Sequence, residues 1–281
     1  MVRIIIDSAS DMPKKEADAL KLDFLPLKTI FGEEEFLDGI TITHDEFYTK
    51  LENSTKNPST SQISPAEYED IYEDVKRCGD TAVIITLSSK LSGTYQSANI
   101  ARDGYKDCIY IVDSENVTLG EQILVRYACV LRDLGFSAKE IADTLEKKKK
   151  YIHVVAVLDT LEYLQRGGRI SKTVAVAGNL LSIKPVIAIK DGEVALVSKA
   201  RGLKNAGAAM TETAKSYGKM DFSMPCAYVY SGHSDELLQK YIKDIANGWE
   251  DQPESIPVYS IGSTIGTHVG PGAFGFAFFV K

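Results

Sequence analysis

The sequence predicts an α/β protein with a mainly parallel sheet in an N-terminal domain, residues 1–151. A second α/β domain, 152–281, is predicted to carry a mixed or antiparallel sheet. Three observations predict this. In the first half, "AVIITL" (82–87) and "IYIV" (109–112) flank a helical stretch of about ten residues beginning near Thr94; strand, helix and strand at that spacing make a parallel crossover. In the second half, "KPVIAIK" and "EVALVSKA" are joined by Asp191 and Gly192, a two-residue hairpin signal that brings in antiparallel pairing. The 281 residues are also 44% hydrophobic and 25% charged, a composition able to fill such cores.

Each element has a local reason. Residues 3–6, "RIII", predict a buried strand ending at Asp7 and Ser8. Asp11 is expected to cap a helix, with Pro13 in its first turn, where a missing amide hydrogen costs little. "FLPLKTIF" (24–31) predicts one further strand. Thr43 with Glu46 forms a capping box opening a helix to about Glu52. The polar run 53–64, which holds "PSTSQ", predicts a loop. It stops at Ser64, Pro65 and Glu67, a second capping box with proline at the first helical position; that helix ends near Gly79. Another helix is expected over 119–134, and Ser137 with Glu140 caps the next. Its last turn runs into Lys147 to Lys150, expected as a solvated cationic helix end. Beyond it come a strand at 153–159, a short helix with a glycine turn at 161–170, helices over 203–217 and 234–246, and strands "AYVYS" and "VYSIG". The C-terminal "GAFGFAFFV" alternates small and aromatic residues as a strand does.

Composition and motif spacing exclude several function classes. A net charge of -7 gives a phosphate backbone no general attraction, so no nucleic-acid partner is expected. The cysteines at 78, 108, 129 and 226 form no C-x-x-C and are expected as buried reduced thiols. The histidines at 44, 153, 233 and 268 show no metal-ligand spacing, and His153, inside an apolar strand, is expected as a core or edge residue. The opening apolar run is too short for a signal peptide, and no stretch approaches ~18 apolar residues, so a cytoplasmic protein without an integral membrane segment is expected. P-loop, dinucleotide and G-x-S-x-G signatures are all missing.

Polar chemistry collects instead where the predicted parallel strands end: Asp7 and Ser8, Ser88 and Ser89, Asp113 and Ser114. Ligands of open parallel sheets bind beyond those strand ends. Ser88, Ser89, Ser92 and Thr94, with Gly93 allowing close backbone approach, sit before a helix N-terminus that suits a carboxylate or phosphate. Two arginines of "RGGRI" (166–170) flank a glycine turn and suit oxyanions. "IGSTIGTHVGPGAFG" (261–275) surrounds His268 with five glycines and is expected as irregular backbone.

In order along the chain, "IIIDSASD" (4–11), "TSQ" (60–62), "SSKLSGTYQSA" (88–98), "LEYLQRGGRI" (161–170), "KP" (184–185) and "IGTHVGPGAFG" (265–275) resemble the DegV family. Those fatty-acid-binding proteins act as the B subunit of bacterial fatty acid kinase. The resemblance implies a palmitate-like long-chain fatty acid in an interdomain tunnel, no cofactor, and an A-type kinase subunit as partner. It implies that the protein retains the acyl phosphate for phospholipid synthesis. It also implies that the carboxylate reaches Thr60 and Ser92, beside Ser61, Gly93 and Thr94. Arg169, Arg201 and His268 are implied at the head group, its phosphate or the kinase face. Ile63 departs from the family pattern, where proline commonly follows T-S-Q. The alternative expectation is a lipid or ester hydrolase with Ser92 as nucleophile and His268 as base.

Overall fold

The computed structural model describes residues 1–171, 182–245, 249 and 251–281. Ile4, Ile5 and Ile6 of β1 (Val2–Asp7), and Val83, Ile84 and Ile85 of β6 (Thr81–Thr86), are all 1% exposed or less. Burial of consecutive strand residues means that both faces are covered, the condition of a parallel sheet. With β2 (Asp23–Leu25) and β7 (Ile109–Asp113) they form a four-stranded parallel sheet in the order β2-β1-β6-β7. Helices α3 (Pro65–Arg77) and α4 (Thr94–Ala101) pack on each other and on β6; so do α5 (Leu119–Asp133) and α6 (Ala138–Lys148). The expected capping boxes are present: Thr43 before α2 (His44–Asn53), Ser64 before α3 and Ser137 before α6 each accept the amide of a glutamate that bonds back.

A six-stranded mixed sheet follows in the order β10-β9-β8-β13-β11-β12. Its strands are β8 (Ile152–Val157), β9 (Ile183–Lys190), β10 (Glu193–Arg201), β11 (Ala227–Tyr230), β12 (Val258–Ser260) and β13 (Phe274–Phe279). All neighbours are antiparallel except β11 and β12. Asp191 and Gly192 turn β9 into β10 with φ of 50° and 81°, the left-handed pair that a two-residue hairpin needs. Period-two alternation gives this sheet two different faces. Val155 and Val157 join Phe274, Phe276 and Phe278 in one core, with Met210 of α8 (Leu203–Ser216) and Leu238 of α9 (Glu236–Asp244). Residue 246, where the second of these helices was expected to end, lies outside the described residues. On the opposite side Val154 joins the same apolar cluster as Ile4 and Ile84, so one core continues between the sheets. A small antiparallel sheet, β4-β3-β5, stands beside them, from β3 (Lys28–Phe31), β4 (Glu34–Leu37) and β5 (Ser59–Ser61).

Several expectations are corrected. Asp11 caps no helix: Asp7 caps a 3-10 turn at Ser8–Ser10, Asp11 closes that turn at φ 53°, and α1 runs Lys14–Ala19 behind Pro13. Asp11 turns inward instead, accepting the Gly262 amide at 2.8 Å. "FLPLKTIF" is two strands, β2 and β3, in different sheets; Pro26 between them lacks the donor that a ladder needs. The "PSTSQ" loop contains β5, whose Thr60 stands opposite Thr29 of β3. Lys149 is 6% exposed rather than solvated. The 3-10 turn at Lys149–Tyr151 swings it onto the Asp113 carbonyl and against Glu115 and Glu146. Cys78 is exposed, whereas Cys129 is buried and Cys108 and Cys226 are partly buried; all four are free. The segment around His268 is helical: α10 (Ser263–Val269).

Candidate functional site

The face of β8 that carries Val154 and Ala156 bounds a cavity between the sheets, with about 160 Å³ open to the centre of a water molecule. Ile187 and Ile189 of β9 continue that wall. Leu27, Leu87 and Val117, each just beyond a parallel strand, line the other side; Leu164 of α7 (Glu162–Arg166) and Ile265 of α10 complete the apolar surface. Polar groups enter from the segments holding Thr60, Ser61 and Gln62, Ser92 and Gly93, Thr118, Arg169, and Thr264 with His268. A shallow groove lined by Lys90, Gly168 and Glu193 adjoins the cavity and shares Leu91, Arg169 and Val194 with it, so the Arg169 side leads to the surface.

Thr60 and His268 meet across 208 positions of sequence, with Thr60 Oγ1 3.0 Å from His268 Nε2. Short α10 is strapped at both ends to the β3–β5 ribbon. At its start Ser263 Oγ lies 2.9 Å from Thr29 Oγ1, and Thr29 is the register partner of Thr60. Buried Asp38 accepts both the amide and the hydroxyl of Ser263 at 2.8 Å. Negative charge at a helix N-terminus is favourable. The glycines here serve contact more than flexibility: a Cβ on Gly266 would come within 2.5 Å of Phe47 Cε1, and one on Gly167 would overlap His268 Nδ1.

Burial, helped by the Arg169 charge, lowers the His268 pKa to about 4, so the ring is neutral at pH 7. Its Nδ1 has no hydrogen-bond partner among the described residues. Arg169 donates through Nε to the Leu91 carbonyl at 3.0 Å and through Nη1 to the Gly167 carbonyl at 2.6 Å. It has no carboxylate partner among the described residues, and burial lowers its pKa. These bonds bring the glycine turn against the residue preceding Ser92.

Of the expected hydroxyl cluster, Ser92 alone lines the cavity. Its Oγ lies 3.0 Å from Thr94 Oγ1, and Thr94 is fully buried behind it. Ser88 spends its hydroxyl on the Gly192 carbonyl at 2.7 Å, clasping the hairpin tip. Asp7 accepts the amides of Ala9 and Leu87, and Asp113 those of Ser89 and Glu115, so the strand-end acids brace loops. Gly93 lets the Gln62 side chain lie against the backbone, where Gln62 Nε2 donates to Ser97 Oγ at 2.8 Å. Arg201 ends β10, exposed, and does not line the cavity. Thr118 and Thr264 line it without having been named as site residues from sequence, and so does Gln62, the last residue of the T-S-Q motif.

These features have counterparts in known proteins. A family model described as DegV family, uncharacterised protein, matches residues 1–281. This chain belongs to the DegV family. A DegV domain-containing protein of Caldanaerobacter subterraneus is 35% identical over 99% of this chain and 98% of its own. A DegV family protein from Thermus thermophilus, solved for fatty acid binding, superposes with a TM-score of 0.90 at 29% identity, covering 100% of this chain and 99% of its own. A stearic acid-binding protein from Eubacterium ventriosum gives 0.88 at 26%, with the same coverage. The family's architecture, a parallel four-stranded sheet beside a mixed sheet, is the one found here.

Proposed function

We propose that this chain binds a long-chain fatty acid in the cavity and presents its carboxylate to a separate ATP-dependent kinase subunit, then retains the acyl phosphate. Residues 1–151 supply the hydroxyl side of the site and 152–281 close the tunnel. The observation that carries this reading is an apolar cavity whose polar groups include neutral hydroxyls, Thr60 and Ser92, beside a neutral histidine. Transfer of a sixteen-carbon chain from water, at ~0.8 kcal/mol per methylene, contributes on the order of 10 kcal/mol before ordering costs. The hydroxyls therefore need only orient the carboxylate. Uncharged donors also leave it nucleophilic toward ATP, which a tight ion pair would not. Ser61, Gly93 and Thr94 shape that corner. Arg169, on the side that leads to the surface, and His268 contact the incoming phosphate or the kinase. Arg201 serves the kinase face from outside the cavity.

The missing nucleotide signatures favour an external kinase, and the reading places the protein in the cytoplasm. No helix among the described residues is long and apolar enough to cross a membrane. For hydrolysis, Ser92 needs a base, but its hydroxyl faces Thr94 while His268 bonds Thr60. Native mass spectrometry of freshly purified protein tests the carrier reading: one long-chain acid per chain is expected, with less retained by Ser92→Ala. Protein that arrives empty and takes up no long-chain acid defeats it. Acyl-phosphate formation with added kinase subunit and ATP, slowed by Ser92→Ala, tests the partnership. Steady ester turnover that is abolished by Ser92→Ala would favour the hydrolase.

A further inference from the structure

Two hydroxyls facing the cavity have no use in the carboxylate site. Thr264 is 2% exposed and lines the cavity, and its Oγ1 has no hydrogen-bond partner among the described residues. A helical threonine commonly returns its hydroxyl to the carbonyl one turn back. Thr267 on the same helix does so, to Ser263 at 2.8 Å; Thr264, in the first turn, has no helical carbonyl four residues behind it. Thr118 is 7% exposed and lines the same cavity, and among the described residues its Oγ1 makes no hydrogen bond of good geometry. It stands at the N-cap of α5 without making the side-chain cap bond usual for threonine there, at φ 51° and ψ -132°. That conformation is strained for a β-branched residue. The two segments meet at Asp11, which accepts the Gly262 amide at 2.8 Å and faces the Thr118 hydroxyl as its nearest acceptor, so Thr264 is the hydroxyl left for a ligand.

Leaving a buried hydroxyl unpaired is unfavourable unless a bound group satisfies it. We propose that Thr264, with Thr118 beside it, forms an inner polar subsite that selects long-chain acids carrying a hydroxyl on the chain. The proposal rests on the fatty-acid reading of this cavity. Position follows from α10: Thr264 lies one turn from His268, so their Cβ atoms are about 5–6 Å apart. With the carboxylate at Thr60 and Ser92, the favoured hydroxyl falls within the first few carbons. A hydroxyl at the far end would instead enter apolar surroundings.

The test uses the full chain stripped of lipid and calorimetric titration with palmitate, β-hydroxypalmitate and ω-hydroxypalmitate. The β-hydroxy acid should bind about 3- to 10-fold more tightly than palmitate, as one net hydrogen bond provides; the ω-hydroxy acid should bind more weakly than either. In Thr264→Val the ratio of β-hydroxy to plain affinity should collapse to about one. Thr118→Ser, which keeps the hydroxyl, should preserve it. Equal wild-type affinities for palmitate and the β-hydroxy acid, as when a water serves the two hydroxyls, overturn the subsite without needing any variant to fold. A ratio unchanged in Thr264→Val overturns it too. Palmitate uptake without discrimination leaves the carrier reading standing; failure to take up any of the three acids removes both.

Discussion

Substitution Gly266→Ala separates two explanations of the glycine-rich segment by the sign of its effect. If the glycines supplied flexibility, alanine in the middle of α10 should stabilise the protein by about 1 kcal/mol through helix propensity. The packing predicts the reverse. The new Cβ would lie 2.5 Å from Phe47 Cε1, 3.2 Å from Phe47 Cζ and 2.9 Å from the Tyr48 hydroxyl. Neither neighbour is a flexible tip. Both are fully buried, their rings pack at 4.9 Å between centroids, and the Tyr48 hydroxyl donates to the Ile261 carbonyl at 3.2 Å. Overpacking of this kind costs about 1–3 kcal/mol, so a net loss of up to about 2 kcal/mol is expected once the propensity gain is set against it. Urea unfolding followed by circular dichroism measures it through the midpoint at unchanged slope. A midpoint raised by the substitution would refute the close-contact account.

Other consequences are equally direct. Gly167→Ala should push the His268 ring off Thr60, because the added Cβ would overlap Nδ1 and lie 2.8 Å from Cε1; loss of that bond, about 0.5–1.5 kcal/mol, should appear as weaker fatty-acid retention in a folded protein. His268 is held neutral, its pKa lowered from 6.5 to about 4. The unfolded chain therefore binds the extra proton first, and stability is lost as pH falls from 6.5 towards 4. His268→Gln should remove up to about 3 kcal/mol of that slope in unfolding curves, and identical slopes would contradict the buried neutral ring. Asp7 behaves oppositely: burial raises its pKa from 3.8 to about 7, so its share of stability is lost as pH rises through that window and levels off above it. Asp7→Asn should flatten that decline. Ala156→Phe should fill part of the cavity and shift calorimetric affinity towards shorter acids, and an unchanged sixteen-carbon affinity would move the chain elsewhere.

Much of this architecture is legible because its signals are local. Capping boxes at Thr43, Ser64 and Ser137 fix helix starts with four residues each, and the Asp191–Gly192 turn fixes a hairpin. What escapes the sequence is non-local. Three polar residues, 59–61, become a strand only because β3 offers an unpaired edge. Lys149 is buried because two carboxylates reach it. The 261–275 segment resembles a loop by composition, yet its glycines mark where Phe47, Tyr48, His44 and Asp38 press on a helix. The site divides in the same way. Thr60, Ser92, Arg169 and His268 stand in recognisable motifs. Thr118 carries no motif and Thr264 lies in a glycine-rich segment where His268 draws attention, so only their burial against the cavity distinguishes them.

The strapping of α10 explains why the proposed head-group site can rest on so short a helix. Seven residues supply few internal hydrogen bonds, and such a helix is unstable alone. Here Thr29 and Thr60, opposite one another on β3 and β5, hold Ser263 at one end and His268 at the other. Asp11 and Asp38 take the amides at its start. The two strands therefore set the direction of the helix, and through it the position of a neutral imidazole beside Thr60. A histidine in a mobile loop would need a ligand charge to hold it in place. One fixed by its own scaffold stays in place while uncharged, as the proposed carboxylate site requires.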